Sequence, residues 1–145
     1  MDFRLYNVSK ILNLKRFYSN LFHHTSSDIP QKVEKTFKKT FHHPVDVEWI
    51  VTGNDFEALF YENKQERIAR FDPSGNLIEV RTNITPLDQH AIVNPTVREM
   101  GDLMNYIQID RSGNITHELI IKKPDFTRIL VLLNDKYEVI RQESL

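Results

Sequence analysis

Residues 45–80 read VDVEWIVTGNDFEALFYENKQERIARFDPSGNLIEV, and the spacing of apolar residues in this stretch predicts consecutive strands. Between Val45 and Thr52 apolar residues occupy alternate positions, which is typical of a strand with one buried face. Gly53 to Asp55 predict a turn, and Phe56, Ala58 and Phe60 begin a second strand. The two strands form a predicted hairpin.

A second predicted hairpin follows, with its third strand over Arg67 to Phe71 and its fourth over Leu77 to Ile84. The turn between them contains Asp72, Pro73 and Gly75. Pro73 suits the second turn position and Gly75 tolerates a positive φ, while Asp72 is expected to accept hydrogen bonds from the backbone of its own turn.

A helix is predicted before these strands, because Ile29, Val33, Phe37 and Phe41 recur at every fourth position. The same order of elements recurs in the second half of the chain. A helix is predicted from Leu87 to about Met104, although Pro95 and Gly101 interrupt it. Four further predicted strands cover Tyr106 to Ile109, Ile115 to Ile121, Ile129 to Leu133, and Tyr137 to Ile140.

The predicted fold class is therefore α+β, with two tandem units of one helix plus a four-stranded antiparallel sheet. A sheet face in one unit is buried only when the two units meet, so one shared sheet with helices on one face is expected. The predicted domain covers residues 29–145, with repeats at 29–86 and 87–145.

Residues 1–28 form a predicted N-terminal amphipathic helix and linker. The apolar residues of the helix recur at spacings of three and four, with Lys10, Lys15 and Arg16 among them. They are Leu5, Val8, Ile11, Leu12, Tyr18, Leu21 and Phe22. The favoured interpretation is a helix packed on the domain's own core or on a second copy; the alternative is a basic helix on a membrane surface.

The composition excludes several function classes. The chain has 145 residues, 40% of them hydrophobic, and a net charge of -1, so its overall charge does not favour nucleic acid. The absence of cysteine excludes disulfides, thiolate metal sites and thiol nucleophiles. No apolar run approaches the length of a membrane span. The start lacks the pattern of a secretory signal, which predicts a cytoplasmic location; the periplasm is the alternative if an export signal has been removed.

The first unit resembles the PepSY-like family of small bacterial proteins, also described as β-lactamase-inhibitor-like, or BLIP-like. The resemblance is carried by Val47-Glu48-Trp49, by the strand from Phe56 to Phe60, and by Ala69-Arg70-Phe71-Asp72 followed by Gly75 and Leu77. It covers about residues 29–145 and is clearer in the first unit. It implies two tandem units of a helix and a four-stranded sheet and no enzyme activity.

No catalytic or metal-binding motif stands out from the sequence. The pairs His23-His24 and His42-His43 lack the spacing of zinc ligands, so no metal site and no cofactor is predicted. The acidic residues considered for catalysis occupy turns or outward-facing strand positions, so the chain is predicted not to be an enzyme. They are Asp46, Glu48, Asp55, Glu57 and Asp72.

The predicted function is a non-catalytic binding module for an unknown protein or peptide partner. The partner would contact the open face of the sheet, with Trp49, Phe60 and Tyr61 as candidate binding residues if these aromatic side chains line an exposed concave surface. The alternative is a small-ligand-binding or envelope-sensing domain. A homodimer is predicted if a strand such as Ile115 to Ile121 lies at a sheet edge.

Overall fold

The structure is a computed structural model that describes residues 28–84 and 94–145, and it contains one antiparallel sheet of eight strands. Among these residues two short helices, α1 (Gln31–Thr40) and α2 (Pro95–Met100), accompany the sheet. The strands are β1 (Val45–Thr52), β2 (Asp55–Glu62), β3 (Gln65–Phe71), β4 (Leu77–Asn83), β5 (Asp102–Arg111), β6 (Asn114–Lys122), β7 (Arg128–Leu133) and β8 (Val139–Ser144).

Each strand pairs with the strand that follows it in the sequence, so the sheet is a continuous meander. The pairing continues across the middle of the chain, where Val80 of β4 lies opposite Asp110 of β5 and Asn83 lies opposite Ile107. The first four strands and the last four are therefore parts of one sheet.

Helix α1 packs on the first half of the sheet through the side chains that are spaced by four residues. Phe37 lies at the centre of this contact, with its ring centroid 5.1 Å from that of Phe60 and 5.2 Å from that of Trp49. Ala58 and Ala69 are directly opposite each other on β2 and β3 and are fully buried. Their small side chains leave room for the aromatic rings under the helix.

The turn between β3 and β4 is fixed to helix α1 by a close approach of backbones. Gly75 has a φ of +88°, and a Cβ atom at this position would lie 2.9 Å from the backbone of Lys32. Asp72 accepts hydrogen bonds from the backbone N–H groups of Ser74 and Asn76, as expected. The Asn76 side-chain amide also donates to Asp72, and this bond, together with the backbone bonds, holds the pKa of Asp72 below its usual value.

Replacing Gly75 with Ala is expected to lower the free energy of unfolding by about 1–3 kcal/mol, because the residue would be strained at a positive φ and would collide with α1. Gly53→Ala is the matched control: Gly53 also has a positive φ, of +62°, but a Cβ atom there would meet nothing within 4 Å. Urea unfolding of both variants should show the larger loss for Gly75→Ala. Equal losses would contradict the helix contact.

Helix α2 covers the second half of the same face. Asn94 caps its start by accepting a hydrogen bond from the Thr96 N–H at 2.9 Å, and Val97 packs into the core beneath. His117 is buried in this half, with its Nδ1 2.7 Å from the Tyr106 hydroxyl and its ring stacked on Tyr137. Burial lowers the pKa of His117, which favours the neutral ring.

The predicted α+β class with two helix-plus-four-strand units is wrong. Over residues 28–84 and 94–145 the protein is mainly β, with one continuous eight-stranded sheet and helices of only 10 and 6 residues. The second helix does not extend from Leu87 to Met104: residues 85–93 lie outside the described ranges, and the helix begins at Pro95 and ends before Gly101. Proline fits the first helical position, and Gly101 adopts a φ of +146° that ends the helix. The predicted N-terminal helix also lies outside the described residues.

The two edges of the sheet are β1 and β8. The segment from Ile115 to Ile121, predicted as a possible dimer edge, lies within β6, which pairs with β5 on one side and β7 on the other. Its backbone donors and acceptors are used by these neighbours. Edge-to-edge dimerisation through this strand is therefore excluded.

Candidate binding face

The side of the sheet opposite α1 and α2 carries both charged and apolar side chains, and we call it the charged face. Successive side chains of a strand point to opposite sides of the sheet, whereas residues paired directly across neighbouring strands point to the same side. Ile50, Leu59 and Arg81, together with the residues paired with them, therefore lie on the charged face. Side chains paired across neighbouring strands form rows on this face. In one of these rows Glu57, Arg70 and Glu79 lie side by side on β2, β3 and β4. Opposite charges therefore alternate between neighbouring strands.

An apolar cluster, which we call the isoleucine patch, occupies the middle of the charged face. It consists of Ile50, Leu59, Ile68, Ile107 and Ile109. β-branched residues dominate this cluster because they pack well on a pleated strand surface. The patch spans strands from both halves of the sheet.

A buried ion-pair network borders the patch. Glu79 accepts a hydrogen bond from Arg81 Nε at 2.7 Å and another from Arg111 Nε at 2.8 Å, one on each carboxylate oxygen. Both Glu79 and Arg81 are only 6% exposed. Burial alone would raise the pKa of Glu79, but the two arginines hold it below its usual value. Glu79 is thus a fixed anion.

A groove of about 260 Å³ extends from this network toward β8, and we call it the arginine groove. Ile109, Leu130 and Leu132 provide its apolar surface. Its polar lining consists of Arg81, Arg111, Thr116, Glu118, Arg141 and Glu143.

The polar side chains of the arginine groove differ in their exposure and in their ion-pair or hydrogen-bond partners. Arg141 pairs with Glu143, and nearly half of the Arg111 side chain is exposed. Burial raises the pKa of Glu118, with Arg81 and Arg111 opposing the shift and Glu79 adding to it. The hydroxyl of Thr116 is buried and has no hydrogen-bond partner among residues 28–84 and 94–145. The groove therefore offers charge and hydrogen-bonding capacity beside an apolar floor.

The three aromatic residues predicted to bind a partner lie on different sides of the sheet. Phe60 is fully buried beneath α1, and the half-buried Trp49 packs on Phe37 and Phe71 on the same side. Tyr61 lies on the charged face, where its hydroxyl is 3.4 Å from Glu66 Oε1. The three side chains do not share one surface, and their role in binding stays a prediction.

Within the described parts of the chain, no group of three or more His, Asp or Glu side chains is placed to hold a metal ion. The pair His42-His43 is exposed at the end of α1, and His23-His24 lies outside those parts. No helix among the described residues has the length and apolar character needed to span a membrane.

Solved structures similar to this one include several proteins from Bacteroides species. A DUF2874 family protein from Bacteroides uniformis is 18% identical, with a TM-score of 0.68 over 79% of this chain and 88% of its own. A candidate periplasmic protein from Bacteroides eggerthii is 20% identical, with a TM-score of 0.69 and the same coverage. A BLIP-like protein from Bacteroides fragilis is 9% identical, with a TM-score of 0.68 over 88% of this chain and 90% of its own.

The fold is BLIP-like. At these identities the likeness establishes the fold alone. No family model and no curated protein matches the chain, so the PepSY-like part of the resemblance is not established.

The charged face was not predicted from the sequence, because its residues look like ordinary surface positions. Glu79, Arg81 and Arg111 are separated by up to 32 residues, and only the pairing of β4 with β5 brings them together. One signal for this face is present in the sequence: the charged residues Glu79 and Arg81 alternate with apolar residues along the predicted fourth strand.

Proposed function

We propose that the protein is a non-catalytic binding domain that holds an extended protein or peptide segment in the arginine groove. The observation that carries this proposal is the combination of an apolar floor with two paired but partly exposed arginines, Arg111 and Arg141, at one place on the sheet. Buried apolar contacts supply affinity at such sites, and charged groups supply orientation and specificity.

The lining indicates the chemistry of the partner. An apolar side chain would occupy the space above Leu130 and Leu132, and a neighbouring carboxylate would pair with Arg111 or Arg141. Similarity to a BLIP-like protein supports a protein partner over a reaction.

The groove supports a peptide better than the alternative of a small ligand. Sites for drug-sized ligands usually have volumes of roughly 300–1,000 Å³ and enclose most of the ligand. This groove is smaller, at about 260 Å³, and is lined by strand residues along an extended surface. The similarity to a candidate periplasmic protein favours a periplasmic location, and nothing in the comparisons favours the cytoplasmic location predicted from the sequence.

Selection of a random peptide library on the full chain tests the proposal. We expect enriched peptides to carry an apolar residue beside Asp or Glu, and to lose at least about tenfold in affinity when Arg141 or Leu132 is replaced with Ala, which corresponds to about 1.4 kcal/mol. Lys136→Ala is the matched control, because it removes an exposed cation from the β7–β8 turn. Failure to enrich any peptide, or equal losses with Lys136→Ala, would overturn the proposal.

A further inference from the structure

Strand β8 forms one edge of the sheet, and among residues 28–84 and 94–145 no strand lies along its outer side. Arg141, Gln142 and Ser144 are exposed. From Arg141 to Ser144 the strand pairs with β7 without a register shift. It contains neither lysine nor proline, the two residues that most often protect an edge strand from pairing. This edge is therefore a template for a further strand.

The backbone of β8 is oriented for such pairing at Gln142 and Ser144. The Leu145 N–H donates to the Arg128 carbonyl at 3.0 Å, so these two residues form a hydrogen-bonded pair. Hydrogen-bonded and non-hydrogen-bonded pairs alternate along two antiparallel strands. Because Ser144 and Gln142 lie one and three positions before Leu145, both belong to non-hydrogen-bonded pairs with β7. Their N–H and C=O groups therefore point away from β7.

The side chains of β8 are complementary to a second copy of β8 in one register. An antiparallel pair with its two-fold axis at Gln142 places Gln142 opposite Gln142, and Arg141 opposite Glu143 on both sides of the axis. The central pair is hydrogen-bonded, so the Arg141 and Glu143 pairs are non-hydrogen-bonded, and such pairs bring side chains closest together. Opposite charges at these positions stabilise two strands.

Other registers of the same two strands are less favourable. A shift of two residues places Arg141 opposite Arg141 or Glu143 opposite Glu143, and like charges directly opposite each other are destabilising. A shift of one residue places the outward backbone groups of one copy opposite inward groups of the other, so their hydrogen bonds are lost. The charge pattern of β8 thus selects a single symmetric pairing.

The opposite edge of the sheet is less suited to pairing. Strand β1 carries Asp46 and Glu48 and no cation, and its pairing with β2 is irregular between Val45 and Glu48, where Asp46 has a φ of +53°. A bulge of this kind disfavours edge pairing. A contact between β8 and β1 would also continue from copy to copy, whereas β8 paired with β8 closes as a dimer.

We propose that two copies of this chain form a dimer by antiparallel pairing of β8 with β8, in which Arg141 of each copy faces Glu143 of the other. Within one chain Arg141 already pairs with Glu143, so the four side chains would form a ring of alternating charges. The two eight-stranded sheets then continue into each other. Both residues also line the arginine groove, so each copy contributes charge to the border of the other's groove.

Sedimentation equilibrium of the full chain, with no peptide present, tests the dimer. The mass per particle should rise with concentration toward that of two chains. Arg141→Glu should raise the dissociation constant of the dimer at least about tenfold, because it places two carboxylates opposite each other at both positions. Glu143→Arg should do the same with two cations. A mass of one chain at every concentration would refute the proposal.

The double variant Arg141→Glu with Glu143→Arg is the sharper test, because it restores opposite charges across the axis. Its dissociation constant should return to within about threefold of the original value. Lys38→Glu is the matched control: it makes the same change of charge on an α1 side chain that is 76% exposed, and it should leave the dissociation constant unchanged. A double variant that dissociates like either single variant would rule out this register.

Hydrogen exchange of the backbone amides locates the interface. The amides of Gln142 and Ser144 should exchange more slowly as the dimer fraction rises, whereas those of β1, on the other edge, should not change. Gln142→Pro removes an N–H that does not bond to β7, so it should weaken the dimer at least about tenfold while the circular dichroism spectrum stays that of the folded chain. A dimer without slower exchange at Gln142 and Ser144 would contradict the proposal.

The dimer and the proposed function have separate outcomes, because the dimer is measured without peptide. A chain that enriches peptides but stays monomeric would contradict the dimer alone. A dimer that enriches no peptide would contradict the proposed function alone.

Discussion

Replacing Glu79 with Gln should lower the free energy of unfolding by about 3 kcal/mol at pH 7, because it removes the anion that two arginines share. Arg81 is 6% exposed and would keep a buried charge without its nearest counter-ion. Breaking a buried ion pair at one partner costs about 3–5 kcal/mol. The lower end applies here because Arg111 is half exposed and Glu118 interacts with both arginines. Urea unfolding at pH 7 measures the loss.

Glu118→Gln is the matched control, and it should not lower the free energy of unfolding. Burial raises the pKa of Glu118, so its charge is held at a cost at neutral pH, and replacing it with a neutral side chain should leave the protein as stable or more stable. Equal destabilisation by the two variants would mean that Glu118 is also a required counter-ion, which would contradict the assignment of Glu79 as the fixed anion.

The pH dependence of the two carboxylates separates their roles further. The folded-state pKa of Glu79 lies below its usual 4.5, so Glu79 contributes stability that is present above pH 4.5 and is lost as the pH falls through the folded-state value. The folded-state pKa of Glu118 lies above 4.5, so its contribution is present below pH 4.5 and is lost as the pH rises through the folded-state value. The loss in free energy of unfolding caused by Glu79→Gln, and any gain caused by Glu118→Gln, should therefore both become smaller at acidic pH.

Phe37→Ala should also lower the free energy of unfolding by about 3–5 kcal/mol, the usual cost of removing a buried phenylalanine. The Phe37 ring contacts the rings of Phe41, Trp49, Phe60 and Phe71, with centroid distances between 5.1 and 6.3 Å. A cavity at this point would separate α1 from the sheet. Thermal or urea unfolding measures the change.

Lys38→Ala is the control for Phe37→Ala, because it alters the next residue of the same helix at an exposed position. Its ion pair with Glu34 is long, at 3.6 Å, and exposed pairs of this kind contribute less than about 0.5 kcal/mol. A small loss for Phe37→Ala, similar to that of Lys38→Ala, would show that α1 is not held by the aromatic cluster.

The strand pattern could be predicted from the sequence because alternation and turn residues are local signals. Val45 to Thr52 coincides with β1, and the Asp72 turn has the predicted hydrogen bonds. The bounds of the second helix could not be predicted from apolar spacing. The spacing after Leu87 favours a long helix, whereas Pro95 and Gly101 set the start and the end of the helix that forms. In this case backbone geometry decided the boundaries.

The candidate site was less predictable, because it depends on pairing between distant strands. Trp49 was assigned to a strand correctly, but its packing on Phe37 depends on where α1 lies. The groove draws residues from five strands, β4 to β8, and each of them alone resembles a solvated position. No local pattern distinguishes Arg81, which is buried beside Glu79, from an exposed arginine.

The order of the strands has a consequence for how the chain acquires its structure. Every strand hydrogen-bonds to the one synthesised just before it, so the sheet can grow from the β1–β2 hairpin by adding one strand at a time. Connections of this kind require little loop-closure entropy, and folds with local connections form faster than those with distant ones. The longest connection, from β4 to β5, is the step at which growth of the sheet should pause.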